Sequence, residues 1–272
     1  SPGDEEVALD PELLGQVFEN LLGAYNPETE VAARKATGSF YTPREIVNYM
    51  VDESLIAHLK ARCGEEQEEM IRKLFDDGEC PENKALCEQL DQALVTAKIL
   101  DPACGSGAFP MGILLRMVEL LRVLRGIPED NSVYELKLQL IENCIYGADI
   151  QCIAVQISKL RFFISLVCEQ KKDDSAENYG INSLPNLETK FVAANSLIGL
   201  PQSGRDILDL CTGDIATLKE QLFEVRHQHF SAKTFQEKKG LRREDKKLRG
   251  SIKHTVRHDA QPDRRHLELL LK

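Results

Sequence analysis

Three short apolar segments, 98–100, 144–148 and 191–193, constrain the fold of this chain more than any other feature. The first two run directly into aspartates, Asp101 and Asp149. Between the segments lie helical patterns over 108–125 (AFPMGILLRMVELLRVLR), 132–143 and 151–168. Strands separated by helices of that length cannot pair as hairpins. They predict a parallel sheet with crossover helices, and therefore an α/β fold. No internal repeat is visible.

Upstream, residues 10–25 read as an amphipathic helix. Asp10 would cap it, Pro11 fits its first turn, and Leu13, Leu14, Val17, Phe18, Leu21 and Leu22 form one face. A second helix is predicted from Pro43, with Ile46, Val47, Met50, Val51 and Leu55 at helical spacing. Residues 64–95 are acidic and helical in pattern, interrupted at Gly78 and Pro81, and read as a peripheral helical hairpin. The segment 206–272 is charged and helical, with a capping start expected at 212–214. The resulting division is a helical N-terminal segment (1–60), an acidic helical insertion (61–96), an α/β core (97–204) and a charged, basic helical segment (205–272).

Composition removes several function classes. No apolar run approaches the roughly 18 residues of a spanning helix, and the start lacks a secretory pattern, so a cytoplasmic protein without a membrane segment is expected. The eight cysteines include no C-x-x-C pair. Cys144, Cys152 and Cys168 lie in apolar runs, which predicts reduced, buried thiols rather than a disulfide framework or a zinc site. His227/His229 and His254/His258 read as solvated or capping residues, and no metal site is expected. Charge is uneven: residues 1–204 hold 18 Lys+Arg against 33 Asp+Glu, whereas 205–272 hold 16 against 11. The basic part fits phosphate contact along DNA, or a solvated helix with Phe223, Phe230, Phe235, Leu241 and Leu248 turned towards the body.

The turn after the first strand, DPACGSGAF (101–109), is the candidate site. Its glycines let the backbone turn sharply beneath a ligand, and the helix behind offers N–H groups at its N-terminus. In open α/β sheets ligands bind at this end of the strands. A dinucleotide fingerprint would need glycine where Pro110 stands, and a phosphate loop would need Gly-Lys-Ser/Thr, which is absent. The turn therefore suits a ligand without a pyrophosphate. Asp101 offers a carboxylate for an ammonium group or a hydroxyl. Asp149 can accept from ribose hydroxyls or cap the following helix, and Asn195, after the third strand, can pair with an adenine edge.

DPACGSGAF resembles motif I of the N6-adenine DNA methyltransferases of restriction–modification systems. GSFYTP (38–43) is similar to their motif X, YGADI (146–150) to motif II and AANSL (193–197) to motif III. The order X, I, II, III and the RKATGSFYTPREIV stretch most resemble type I modification subunits and large fused restriction–modification enzymes. The resemblance implies a partial Rossmann-like sheet that binds S-adenosylmethionine. Phe40, Tyr41 and Thr42 would cover the methionine end of the cofactor. Asp101, Ala103, Gly105 and Gly107 would hold its amino-acid moiety. Asp149 would bind the ribose hydroxyls, Ile150 would pack on the adenine, and Asn195 would read its amino group, where many relatives carry aspartate. Phe109 fits either the pocket wall or the core.

Methylating an adenine amino group also requires, by the same resemblance, an Asp/Asn-Pro-Pro-aromatic loop that accepts the amino protons and stacks on a flipped base. This sequence contains no Pro-Pro, so no catalytic residue is assigned. About three of the roughly seven strands of such a sheet are accounted for, and the chain reads as the cofactor-binding portion of a larger enzyme. Its expected partners are double-stranded DNA, through the parent enzyme and the basic stretch 226–265, and the remainder of the parent chain or its subunits. A non-catalytic nucleoside-binding or assembly module, and a fragment of a cytosine-N4 methyltransferase, are the alternative readings.

Overall fold

The computed structural model describes residues 42–128, 132–170, 184–197, 213–232 and 234–259, with isolated positions at 17, 174, 175 and 179. Two compact units are distinguished, one made of residues 1–184 and 190–196, the other of 185–189 and 197–272. The helix read over 10–25, apart from Val17, lies outside the described residues, as do Phe40 and Tyr41.

In the first unit, α1 (Arg44–Cys63) is followed by a 3-10 turn (Glu65–Gln67), α2 (Glu68–Asp76) and α3 (Lys84–Val95). Asn83 starts α3 by accepting the Ala85 and Leu86 amides at 3.0 and 3.4 Å, which satisfies two N–H groups that have no partner within the helix. Then come β1 (Ile99–Asp101), α4 (Ala108–Arg125), α5 (Tyr134–Asn143), β2 (Ile145–Asp149), α6 (Cys152–Val167) and β3 (Phe191–Ala193). The strands form a parallel sheet in the order β1-β2-β3, pairing Ile99 with Ile145, Asp101 with Gly147, and Asp149 with Ala193. This α/β arrangement is compatible with the partial Rossmann-like sheet expected from the sequence.

The core lies where α4, α5 and α6 pack on β2 and where α1 and α3 pack on α4. Leu59, Leu90, Leu94, Leu114, Leu121, Leu140 and Ile145 are fully enclosed there. The Phe191 ring crosses β2 at Gly147, where a Cβ would lie 2.7 Å from it, and packs on Phe162 with centroids 4.7 Å apart and the rings tilted by 45°. A glycine inside a strand commonly marks such a close approach.

α1 and α4 are pinned together at two levels. A Cβ on Gly112 would meet Val47 at 2.8 Å, and Arg116 forks onto Asp52 at 2.7 and 3.3 Å. Arg116 also donates to the Phe75 carbonyl at 2.7 Å and lies over the Phe75 ring, so one side chain joins α1, α2 and α4. Bidentate geometry and partial burial make this pair stronger than an ordinary surface ion pair. Arg116→Ala is expected to cost about 1–3 kcal/mol in chemical denaturation. An unchanged midpoint would show that the three helices hold together without it.

The cysteines depart from the sequence reading. Cys104 and Cys144 are buried, but Cys152 and Cys168, at the two ends of α6, are exposed. A run of apolar neighbours does not bury a residue that faces outward at a helix end. Burial pushes the Cys144 thiol up to about 11.

The second unit contains α7 (Gly213–Ser231) and α8 (Phe235–Asp259), packed on each other. α8 begins with a capping box: the Glu237 amide donates to Thr234 Oγ1 at 3.2 Å, and the Thr234 amide donates to Glu237 Oε2 at 3.1 Å. The helix start expected at 212–214 is where α7 begins, at Gly213, although Thr212 lies outside the described residues. Phe230 is buried, as expected, but Phe223 and Phe235 are exposed. His229, expected to be solvated or capping, is buried, and that burial lowers its basicity.

Candidate functional site

All three strands end at the glycine turn. The backbone reverses there through left-handed conformations at Gly105 (φ +53°) and Gly107 (φ +87°), which other residues adopt only with strain. Gly107 is also constrained by packing, since a Cβ there would lie 2.9 Å from Ser158 Oγ and 3.1 Å from Ser158 Cβ on α6. The sequence reading gave the glycines the single role of admitting a ligand. At Gly107 the helix behind the turn sets the requirement as well.

Two α6 side chains that the sequence reading left without a role hold the turn from behind. Ser158 Oγ donates to the Gly105 carbonyl at 2.9 Å, and Arg161 Nη1 donates to the Ser106 carbonyl at 3.1 Å. Both residues are buried. The available sequence signal was a serine and an arginine three apart on a largely apolar helix, polar groups that burial would oblige to find partners. With those carbonyls directed to α6, the opposite face of the turn is left for a ligand.

Asp149 joins the second strand to the turn. Its Oδ2 accepts the Gly105 amide at 2.8 Å and its Oδ1 accepts the Gln151 amide at 2.8 Å. α6 has no side-chain cap, so Asp149 does not cap that helix: it accepts the amide of Gln151, the residue before α6, and it grips the turn. A carboxylate with about four lone-pair sites keeps one on each oxygen for further donors. Asp101 is half-buried, and its Oδ1 accepts the Ala103 amide at 3.0 Å. Burial, opposed by that hydrogen bond, and the nearby Asp149 charge raise its carboxyl above the ordinary carboxylate range. Ala103 is exposed and already gives its amide to Asp101, so only its carbonyl could meet a ligand. Beneath the turn, burial and the charges of Asp101 and Asp149 push the Cys104 thiol up to about 12 and keep it protonated.

The third strand is stitched to the same place. The Ala194 amide donates to the Asp149 carbonyl at 2.9 Å, and Ser196 Oγ donates to the Pro102 carbonyl at 2.8 Å. Asn195, between them, is exposed beside the turn. Ile150, just past β2, is 66% exposed despite its apolar side chain. Phe109 is half-buried. The Val47–Gly112 and Asp52–Arg116 contacts advance in the same direction along α1 and α4. The half-buried Thr42, just before α1, therefore comes level with the start of α4 and the glycine turn.

Asp101, Gly105, Gly107, Asp149, Ile150 and Asn195 thus gather at one end of the sheet, with Thr42 at the same level. The donor set is acidic and partly apolar. It suits a ligand with an ammonium group, vicinal hydroxyls and a flat aromatic ring, and the 101–109 turn carries no lysine or arginine for a polyphosphate.

No family model matches the chain. A protein of Methanocaldococcus jannaschii, named as a type II restriction enzyme and methyltransferase, is 32% identical to it over 214 residues. The match takes in 73% of this chain and 17% of that protein's length. Over most of its length, therefore, the chain is similar to one part of a much larger protein named for restriction and methyl transfer.

Proposed function

We propose that this chain is the S-adenosylmethionine-binding portion of a DNA adenine-N6 methyltransferase within a restriction–modification system. The observation that carries the reading is the convergence of two carboxylates, a left-handed glycine turn and an exposed isoleucine at the carboxyl ends of three parallel strands. The similarity to a protein named for methyl transfer supports it. Adenine as the target rests on the motif resemblance alone.

In this reading Asp101 pairs with the cofactor's ammonium group, and the turn 105–107 passes close beneath its amino-acid moiety. Asp149 accepts from the ribose hydroxyls, Ile150 packs on the adenine, Asn195 meets its edge, and Thr42, with Phe40 and Tyr41, covers the methionine end. When bound, the cofactor supplies a methyl group on a cationic sulfur. The sequence carries no Asp/Asn-Pro-Pro-aromatic loop to orient an adenine amino group, so binding rather than transfer is the activity assigned to these residues.

Calorimetric titration of S-adenosylmethionine into the folded chain tests the reading, and one-to-one binding is expected. A cationic ligand favours ionised Asp101. Affinity should therefore be full at neutral pH and fall as pH drops through the raised Asp101 value. Asp101→Asn should weaken binding at neutral pH and flatten that profile. A chain that melts cooperatively yet takes up no cofactor would rule the reading out.

A further inference from the structure

We propose that an exposed stripe on α8, formed by Lys239, Arg243, Lys246 and Lys247, docks the phosphates of duplex DNA. At 3.6 residues per turn these four positions fall within about 100° of arc, and Lys239 and Lys247 stand about 12 Å apart along the axis. That length matches three or four base steps of one DNA strand.

All four side chains are exposed, and none has an acidic partner among the described residues. Their neighbours differ. Arg242 pairs with Glu188, Arg249 pairs with Asp245 at 2.6 Å, and Arg226 of α7 reaches Asp245 at 2.9 Å. Basic residues held in ion pairs are thus distinct from the four of the stripe, which form none among the described residues.

Gly240 and Gly250 fall on or beside the same arc, and a Cβ on either would meet nothing within 4 Å. A glycine inside an exposed helix costs about 1 kcal/mol relative to alanine, and packing within this protein does not require either one. A bulky sugar–phosphate backbone pressed against the helix would. The adjoining groove between α7 and α8 is of mixed sign, because Glu224 and Glu244 line it together with Arg243 and Lys247. Arg243 and Lys247 are thus shared by the stripe and the groove, while Lys239 and Lys246 lie outside the groove lining and carry the stripe away from its acids.

Charge complementarity selects a polyanion. Residues 1–204 carry an excess of 15 acidic groups and repel one, so attraction is confined to the basic segment. An anionic membrane fits less well. A helix lying in a membrane needs an apolar face, and here Asp245 is buried and Leu241 and Leu248 are half-buried, so among the described side chains of α8 Phe235 is exposed without an apolar stripe continuing from it. The inference rests on the methyltransferase reading only in choosing duplex DNA as the polyanion.

The test titrates a 20-base-pair duplex into the full chain across a salt series, comparing wild type with K239Q/R243Q/K246Q/K247Q. The variant is expected to bind at least about 30-fold more weakly at low salt. Its log–log salt slope should shrink by about 3.6, at roughly 0.9 for each of the four lost phosphate contacts. The charge-retaining K239R/R243K/K246R/K247R variant, and an Arg62→Gln/Lys84→Gln variant changed elsewhere on the surface, should keep wild-type behaviour. Equal affinity and slope in the glutamine variant would overturn the proposal. So would a wild-type chain that does not bind duplex, or one that prefers phosphatidylserine vesicles through the same residues. Cofactor titration of the wild type separates the two readings: cofactor uptake absent, while duplex binding persists and is still lost in the glutamine variant, sinks the methyltransferase reading and leaves this one standing.

Discussion

Replacing Asp149 by asparagine should reduce affinity for S-adenosylmethionine about 100-fold, equivalent to two hydrogen bonds to a charged acceptor at roughly 1.5 kcal/mol each. The variant should also lose about 2 kcal/mol of stability. The carboxylate accepts one amide on each oxygen, from Gly105 and from Gln151. An asparagine oxygen satisfies one of them, while its NH2 group confronts the other N–H. Relief of the repulsion on Asp101 returns part of the loss. Because the residue also holds the turn, weak binding alone would not establish contact with the ribose. The decisive comparison uses a cofactor analogue lacking the ribose hydroxyls. Wild type should bind the analogue much more weakly than the parent compound, and Asp149→Asn should bind the two about equally. If the preference for the hydroxylated ligand survives the substitution, Asp149 acts only through the backbone.

Gly107→Ala is expected to destabilise the chain by about 2–5 kcal/mol. The left-handed conformation costs a residue with a Cβ about 1–2 kcal/mol, and crowding in a packed interior costs a further 1–3. The new methyl group would lie 2.9 Å from Ser158 Oγ, and Ser158 can retreat only by giving up its hydrogen bond to the Gly105 carbonyl. Combining Gly107→Ala with Ser158→Ala should therefore cost less than the sum of the two single changes, by about 1 kcal/mol in a double-mutant cycle. The remaining deficit belongs to the backbone angle. Strict additivity would mean that α6 does not press on the turn.

Where an element depends on local pattern, the sequence located it closely. The helix read over 108–125 is α4, Ala108–Arg125, and the strand read over 191–193 is β3. The first two strands each extend one residue further than their apolar runs suggest, because Asp101 and Asp149 still pair in the ladder. That single residue matters, since both acids are thereby held by the sheet and not left to a loop. Their identity as candidate site residues was legible from the strand–turn–helix context.

The groups that organise the site from behind were not legible. Ser158, Arg161 and Ser196 act on carbonyls 53, 55 and 94 residues away in the chain, and no local pattern encodes such pairs. Exposure at element ends escaped sequence reading for the same reason. Cys152, Cys168, Phe223 and Phe235 looked like buried residues by type and neighbourhood, yet each faces away from its packing partner.

By itself the sequence determined that the chain alternates strand and helix, that two strands close on aspartates, and that a glycine turn follows the first. These features follow from hydrophobic period and backbone permissiveness, which act over a few residues. Tertiary structure alone decided that Asp149 grips the turn across the sheet, that α6 draws its carbonyls away from the ligand face, and that Asp101 carries a proton more readily than an ordinary carboxylate. Those properties arise from packing and burial between segments far apart in sequence, where a hydrogen bond or a charge takes its strength from what excludes water around it.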